Sequence, residues 1–507
     1  SRATGGSAMV RTSLSEGASR MRVVTSEELW PYLRPWSTHC KAQVARRLGV
    51  EIPAPPETPY EGIRIGISPG NREVAIDGIS IRYHTHLVGP TGSGKSWELA
   101  NMALNVINCK YGVIVIDPKD GQLTQGILER IPESERERVH VIDLRHPHLA
   151  VGINVLESPR IDQQPLVADQ VVEIFHQLFA ASWGKRSEHV LRAAVLTLLK
   201  AKDATLCDLP ALLLDAKSRG YWTRNLDDPI GLGSFWQEFN ALSDSQRQEW
   251  TGPLVYKIRD LLLSPQVRHL FGQVKSTIDL AGILQNREVL LITLPPGEIG
   301  RPTMQLVGSI LLARIWQLVQ ARSAIAEELR PPTVGVIDEF QEILKMSKAI
   351  DEVADQARSF RFGLLLANQD LGQLKPYPGI ERAVRSNIRN KLFFQPQHEE
   401  EALAMSKLMP GITPEQLLQL RSRQLAVRVC IDGVATAPFT AYTLPLPDSE
   451  MDKASIKRRQ ARASELVESA MERDARARAE VESELRERRF KVQRLAENTA
   501  PAGVPWA

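Results

Sequence analysis

Apolar and polar positions along the chain change period several times, and each change marks an element. Residues 62–67 and 73–85 alternate, with turn signals at Pro69-Gly70-Asn71 and Asp77-Gly78, and predict short antiparallel strands. Residues 81–88 predict a strand and 95–107 a helix. The unbroken apolar run 111–117, closed by Pro118-Lys119, has the look of a parallel strand buried on both faces. A short strand is expected at 138–143. From about 160 to 285 the period is helical, for example over 166–180, 186–202, 208–217 and 253–264. Strands return at 288–294, 333–338, 362–368 and 389–395, separated by helices at 302–329, 341–357 and 398–409. Residues 423–445 predict a hairpin around Asp432-Gly433.

Alternating strand and helix predict an α/β fold with a mainly parallel sheet. The helical stretch then reads as an all-α domain inserted into that sheet. The expected division is a disordered leader or expression remnant at 1–20, then an N-terminal helix and linker at 21–60. The first part of the sheet domain follows at 61–155, the inserted domain at 156–286 and the second part at 287–447. Thr25-Ser26-Glu27-Glu28 is the expected cap of a helix over 21–50, and prolines crowd 51–60. Residues 448–507 form a charged C-terminal helix and tail. The interleaved signs there (Lys457-Arg458-Arg459, Glu484-Leu485-Arg486-Glu487-Arg488-Arg489) predict a long solvated helix over about 450–497, with a contact surface for DNA or a partner as the alternative.

Composition narrows this little. The 507 residues suffice for about two to four domains. A net charge of +3 names no partner, so any nucleic-acid surface must come from local clustering. Cys40, Cys109, Cys207 and Cys430 lack metal-site spacing and suit a reducing cytoplasm. No apolar run is long enough to span a membrane, and 304–320 reads as a core helix.

The chemistry begins at Gly89-Pro90-Thr91-Gly92-Ser93-Gly94-Lys95-Ser96, a phosphate-binding loop between a strand and a helix. Its glycines let consecutive N–H groups curl around phosphate oxygens at a helix N-terminus. Lys95 can reach the β and γ phosphates, and Ser96 can place its hydroxyl on Mg²⁺. Downstream, Thr333-Val334-Gly335-Val336-Ile337-Asp338-Glu339 is an apolar strand tipped by acids. Asp338 there suits a metal-holding role and Glu339 a base that orients and deprotonates water. Gln369 ends the strand Leu364-Leu365-Leu366-Ala367-Asn368 and suits a γ-phosphate sensor. ATP and Mg²⁺ are the expected ligands. A stabilising arginine is also required, and composition does not choose among Arg358, Arg361, Arg385 and Arg389.

In this order the motifs resemble the FtsK–HerA superfamily of DNA-pumping P-loop ATPases, and within it the conjugative type IV coupling proteins of the TraG/TraD kind. The resemblance rests on His86–Ser96, on Val115-Ile116-Asp117-Pro118-Lys119, on Gly152-Ile153-Asn154-Val155-Leu156, on Val336-Ile337-Asp338-Glu339-Phe340 and on Ala367-Asn368-Gln369, within about residues 80–445. It implies a RecA-like domain and a hexameric ring with ATP between subunits and DNA in the channel. It also implies an arginine finger at Arg358, with Arg389 second. A relaxase or relaxosome is an implied partner. Members usually begin with transmembrane helices. Without one here, a membrane-anchoring secretion-system partner could recruit a cytoplasmic chain to the inner membrane, the anchor could have been removed, or the chain could be a soluble relative.

The function expected is therefore an ATP-hydrolysing DNA translocase in conjugative transfer. Alternatives are a HerA-like helicase in DNA repair or phage defence, and an ATP-dependent adapter that recruits relaxase or protein cargo. Candidate DNA contacts are Lys185, Arg186, Lys375, Arg382 and Arg385, each equally readable as ordinary surface charge.

Overall fold

The computed structural model describes residues 50–157, 161–178, 184–201, 203–344, 356–445 and 452–498. The expected leader, the expected helix over 21–50 apart from Val50, and residues 345–355 of the helix expected over 341–357 lie outside the described residues.

Eleven strands form one sheet. Its parallel part comprises β3 (Thr85–Val88), β4 (Gly112–Asp117), β5 (Val139–Asp143), β7 (Val289–Thr293), β8 (Thr333–Ile337), β9 (Phe362–Asn368) and β10 (Asn390–Phe393), in the spatial order β10-β3-β9-β8-β4-β7-β5. Beyond β10 lies an antiparallel flank of β11 (Gln424–Arg428), β14 (Phe439–Thr443), β1 (Ile63–Ser68) and β2 (Arg72–Ile76). The terminal hairpin carries a two-stranded tip, β12 (Cys430–Ile431) and β13 (Val434–Ala435), around Asp432-Gly433. β3 is shorter than the strand expected over 81–88, because Ser80–Tyr83 form a 3₁₀ turn. Asp77 accepts from the N–H groups of Ile79 and Ser80 and from the Ser80 hydroxyl, which pins that turn.

Every residue of β4, β7, β8 and β9 is buried. The alternation of a strand sends neighbours to opposite faces. Val113 and Val115 pack with Leu99, Met102 and Val106 of the Lys95–Asn108 helix. Ile114 and Ile116 join the other core, shared with the Arg301–Ala321 helix and the inserted helices. Residues 164–286 supply those inserted helices, among them Gln164–Leu178, Lys185–Lys200 and Asp244–Leu263. The helix expected over 208–217 divides at Asp215, whose carboxylate caps Ala216–Thr223 through the N–H groups of Lys217 and Ser218. Leu191, Leu198, Trp236, Phe239, Leu254 and Phe271 are buried among them, continuous with the sheet's core.

The C-terminal segment departs from the single solvated helix expected. It forms two helices, Lys453–Asp474 and Arg478–Asn498, broken at Ala475. At the break, β15 (Arg476–Ala477) pairs antiparallel with β6 (Leu149–Ala150). Ala463, Leu466, Ala470 and Met471 are buried, an i, i+3, i+7, i+8 stripe that docks the first helix beside the edge strand β5. Arg459 bonds Glu129 at 3.0 Å, and His140 Nδ1 meets Asp474 at 2.7 Å. The second helix lies on the insert, where Arg488 donates to the Gly272 carbonyl at 2.9 Å and the Thr205 hydroxyl at 2.8 Å. The charges that suggested solvation are largely spent on contacts within the chain.

Candidate active site

Four parallel strands bring the site residues to one sheet edge. β9 lies between β3 and β8, and β4 lies beyond β8. Val88 is level with Asn368, Ile337 with Leu366, and Ile116 with Ile337. Strands sit about 4.8 Å apart, so the loop after β3 and the acids after β8 are about 10 Å apart. A lysine side chain bridges that gap.

Gly89 leaves β3 where a Cβ would meet the Phe394 side chain at 2.7 Å. Gly94 opens the Lys95–Asn108 helix at φ +102°, and no side chain caps that helix. Its first-turn N–H groups are therefore left for an anion. The Ser93 hydroxyl is buried without a partner. An ammonium, a spare hydroxyl and open N–H groups together fit a polyphosphate.

Lys95 Nζ lies 2.6 Å from Glu339 Oε1 and 3.7 Å from Asp338 Oδ1. Ser96 Oγ donates to Asp338 Oδ2 at 3.2 Å. Glu339 is held in the left-handed region at φ +41°, and its second oxygen accepts from Gln341 Nε2 at 2.7 Å. Burial opposes its charge, but Lys95 and Lys119 outweigh burial and hold its carboxyl at about 2. For Lys95 itself burial pulls the ammonium down against the two carboxylates. Among the described residues no cluster of three protein ligands forms a metal centre. Ser96 beside Asp338 fits Mg²⁺, which usually takes one or two protein oxygens and completes its shell with phosphate and water.

Gln369 follows β9 between the two halves of the site. Its side-chain oxygen lies 3.5 Å from Thr91 Oγ1 of the phosphate loop. Beneath it, Asn368 Oδ1 meets buried His86 Nε2 at 2.8 Å, and His86 stands edge-on to Phe340. Burial first, then Lys391, pulls that imidazole down to about 3, so it is neutral and works as a fixed hydrogen-bonding strut.

Sequence reasoning gave Lys119 no role. Its ammonium sits 3.0 Å from Asp338 Oδ2 and 2.7 Å from Glu339 Oε1. Burial opposes its charge, but the two acids raise it overall. Its neighbour Asp117 accepts from the N–H groups of Lys119, Leu123 and Thr124. Burial and Asp338 nevertheless push Asp117 up to about 6. The only sequence signal was Asp117-Pro118-Lys119 at the end of an apolar strand.

Arg358 is exposed and lies four residues before β9, whereas Gln369 follows its last residue. Seven strand residues span about 20 Å, so Arg358 stands at the opposite sheet edge from this chain's own phosphate loop. It stacks on Tyr83 with its guanidinium carbon 4.4 Å from the ring centre, and Arg389 does so at 5.5 Å. Arg361 donates to the Glu328 and Arg330 carbonyls. The candidate DNA contacts are not brought into one cluster. Lys375 pairs with Glu400, Arg385 with Glu381 and Arg186 with Glu249, each at 2.7 Å. Arg382 shares the Pro378–Ser386 helix with Arg385, and Lys185 begins a helix of the insert. Among the described residues no helix is long and apolar enough to cross a membrane.

Residues 332–413 match the family model described as the TraM recognition site of TraD and TraG. No curated protein sequence matches the chain. Among solved structures, the plasmid coupling protein TrwB in complex with ADP and Mg²⁺ superposes with a TM-score of 0.54 at 14% identity, over 77% of this chain and 91% of that one. An unbound form of TrwB lacking its N-terminal segment gives 0.53 at 14%, over 76% and 90%. VirB4 of Thermoanaerobacter pseudethanolicus gives 0.53 at 14%, over 77% and 98%. Identities this low speak for the fold. The chain thus has the fold of the conjugative coupling protein TrwB, and the TraG/TraD resemblance is borne out in sequence across residues 332–413, the stretch that supplies Asp338, Glu339 and Gln369.

Proposed function

We propose that the chain is an ATP-hydrolysing DNA translocase, a coupling ATPase of conjugative transfer. The observation that carries this reading is the meeting of Lys95, Ser96, Asp338, Glu339 and Gln369 at one sheet edge. The coupling-protein fold and the TraD/TraG match supply the biological setting.

In this reading the phosphate loop, residues 89–96, takes the ATP phosphates, and Lys95 exchanges Glu339 for them. Ser96 and Asp338 would hold Mg²⁺, which neutralises charge on the β and γ phosphates. Release from Lys95 lets Glu339 accept the proton of the attacking water, while Lys119 keeps both acids in place. Gln369 senses the γ-phosphate and reports it to β3 and Phe340 through Asn368 and His86. Arg358 cannot reach its own site, so it serves a neighbouring copy, which requires a ring such as a hexamer. Arg389 is second choice, because its guanidinium is tied to the Gly433 carbonyl at 2.8 Å. DNA passes through the ring, with Lys185, Arg186, Lys375, Arg382 and Arg385 as candidate phosphate contacts. A relaxosome component docks on the 332–413 region, and a membrane partner recruits the assembly to the inner membrane.

Steady-state ATPase rates, measured with no DNA, single-stranded DNA and double-stranded DNA, test the reading against Glu339→Gln. Stimulation by one form, absent in the variant, is expected. A rate indifferent to both forms but raised by a relaxosome protein would replace translocation with the adapter role.

A further inference from the structure

A groove of about 390 Å³ opens beside Ser96, between the Lys95–Asn108 and Gln122–Leu128 helices. Sites for small organic ligands start at about 300 Å³. Its position is set by the phosphate loop: any polyphosphate seated on Lys95 and Ser96 leaves its remaining end at the groove's mouth. One wall is Trp97, the first residue after the loop motif, which stands 56% exposed despite its apolar ring. Arg130 lies against that indole, its guanidinium carbon 5.4 Å from the ring centre. Arg130 is itself locked by the Gly126 carbonyl at 3.0 Å and Glu129 at 3.3 Å, and its side chain is only 2% exposed. The indole is therefore a braced, exposed aromatic platform. Gln122 and Gln125 add amides that can donate and accept.

We propose that this groove is the nucleoside subsite, with the base stacked on Trp97 and the ribose between Ser96 and the Gln122–Gln125 turn. The assignment rests on the reading of residues 89–96 as the phosphate seat. Stacking on an indole is tolerant of base identity, because every base offers a π face. The groove therefore distinguishes a nucleotide from a bare polyphosphate more sharply than it distinguishes one base from another. It also links the nucleotide to the C-terminal segment. Glu129 lines the groove and accepts from Arg459 of the Lys453–Asp474 helix at 3.0 Å.

Equilibrium binding of ATP and of inorganic triphosphate to the full chain, Trp97→Ala, Trp97→Phe and Lys95→Ala tests this. Trp97→Ala should weaken ATP roughly 5- to 150-fold, the cost of losing one base stack. It should leave triphosphate unchanged, and Trp97→Phe should restore most of the loss. Lys95→Ala should lose both ligands. Irradiated 8-azido-ATP should label Trp97 or residues 122–130. If ATP binds Trp97→Ala as it binds the full chain and the label maps elsewhere, the subsite is wrong while the phosphate seat stands. If Lys95→Ala keeps both ligands, the phosphate seat itself is wrong and the subsite falls with it.

Discussion

Glu339→Gln should tighten nucleotide binding while abolishing turnover. In the free protein Glu339 occupies Lys95 at 2.6 Å and Lys119 at 2.7 Å, so ATP must break the first contact to gain the lysine. The carboxyl is held at about 2 against an ordinary 4.5. At about 1.4 kcal/mol per unit, the two lysines favour its charged form by about 3 kcal/mol beyond the cost of burial. If Lys95 carries about half, its release removes about 1.5 kcal/mol of competition, roughly a tenfold gain in affinity. A second effect has the same sign. The amide leaves Lys95, whose side chain is 5% exposed, without its closest counter-charge, and a buried charge robbed of its partner raises the free energy of the empty state. The assay is calorimetric titration with a non-hydrolysable ATP analogue, so that lost turnover does not distort the comparison. Unchanged or weaker analogue binding would refute the idea that Glu339 and the phosphates compete for Lys95.

Three further outcomes follow from the geometry. Arg358→Ala should leave nucleotide affinity unchanged and cut turnover by about 10³-fold or more, the usual scale for a finger arginine. Mixing it with Lys95→Ala should recover activity where an intact finger meets an intact loop, and no recovery would argue against action in trans. Leu466→Ala should destabilise the fold by about 2–5 kcal/mol, read as a lower Tm. An unchanged Tm would mean the C-terminal helix contributes no core. Lys391 is buried on β10, and burial, with Arg428 and Arg385 nearby, pulls its ammonium from 10.5 down to about 7. Its folded value is the lower one, so between those pH values the unfolded chain binds more protons and stability rises with pH. Lys391→Met should raise Tm at pH 7.5 and flatten that rise, whereas a persistent slope would place the titration elsewhere.

The loop at 89–96 and the acids at 338–339 were legible because their chemistry is local. A phosphate cradle is built from consecutive N–H groups, and an acid-tipped strand is a contiguous run. The apolar runs at 112–117, 289–293, 333–337 and 362–368 were legible for a related reason, since strands covered on both faces cannot carry polar residues. Lys119 was not, because nothing within its own segment says which acids it meets. Its role arises only when β4 lies beside β8. The C-terminal helices were misread for the opposite reason. Their charges dominate the local pattern, and the narrow stripe of Ala463, Leu466, Ala470 and Met471 becomes a docking face only beside β5.

By itself, then, the sequence determined the elements, the inserted helical stretch and the groups that meet phosphate, because helix period, strand period and loop chemistry act over a few residues. Tertiary structure alone decided the strand order that seats Gln369 between loop and acids. It also set Arg358 at the far edge from its own site, and it bound the charged tail to the nucleotide domain and the insert. Those outcomes depend on packing between segments hundreds of residues apart, where burial and pairing outweigh any local preference.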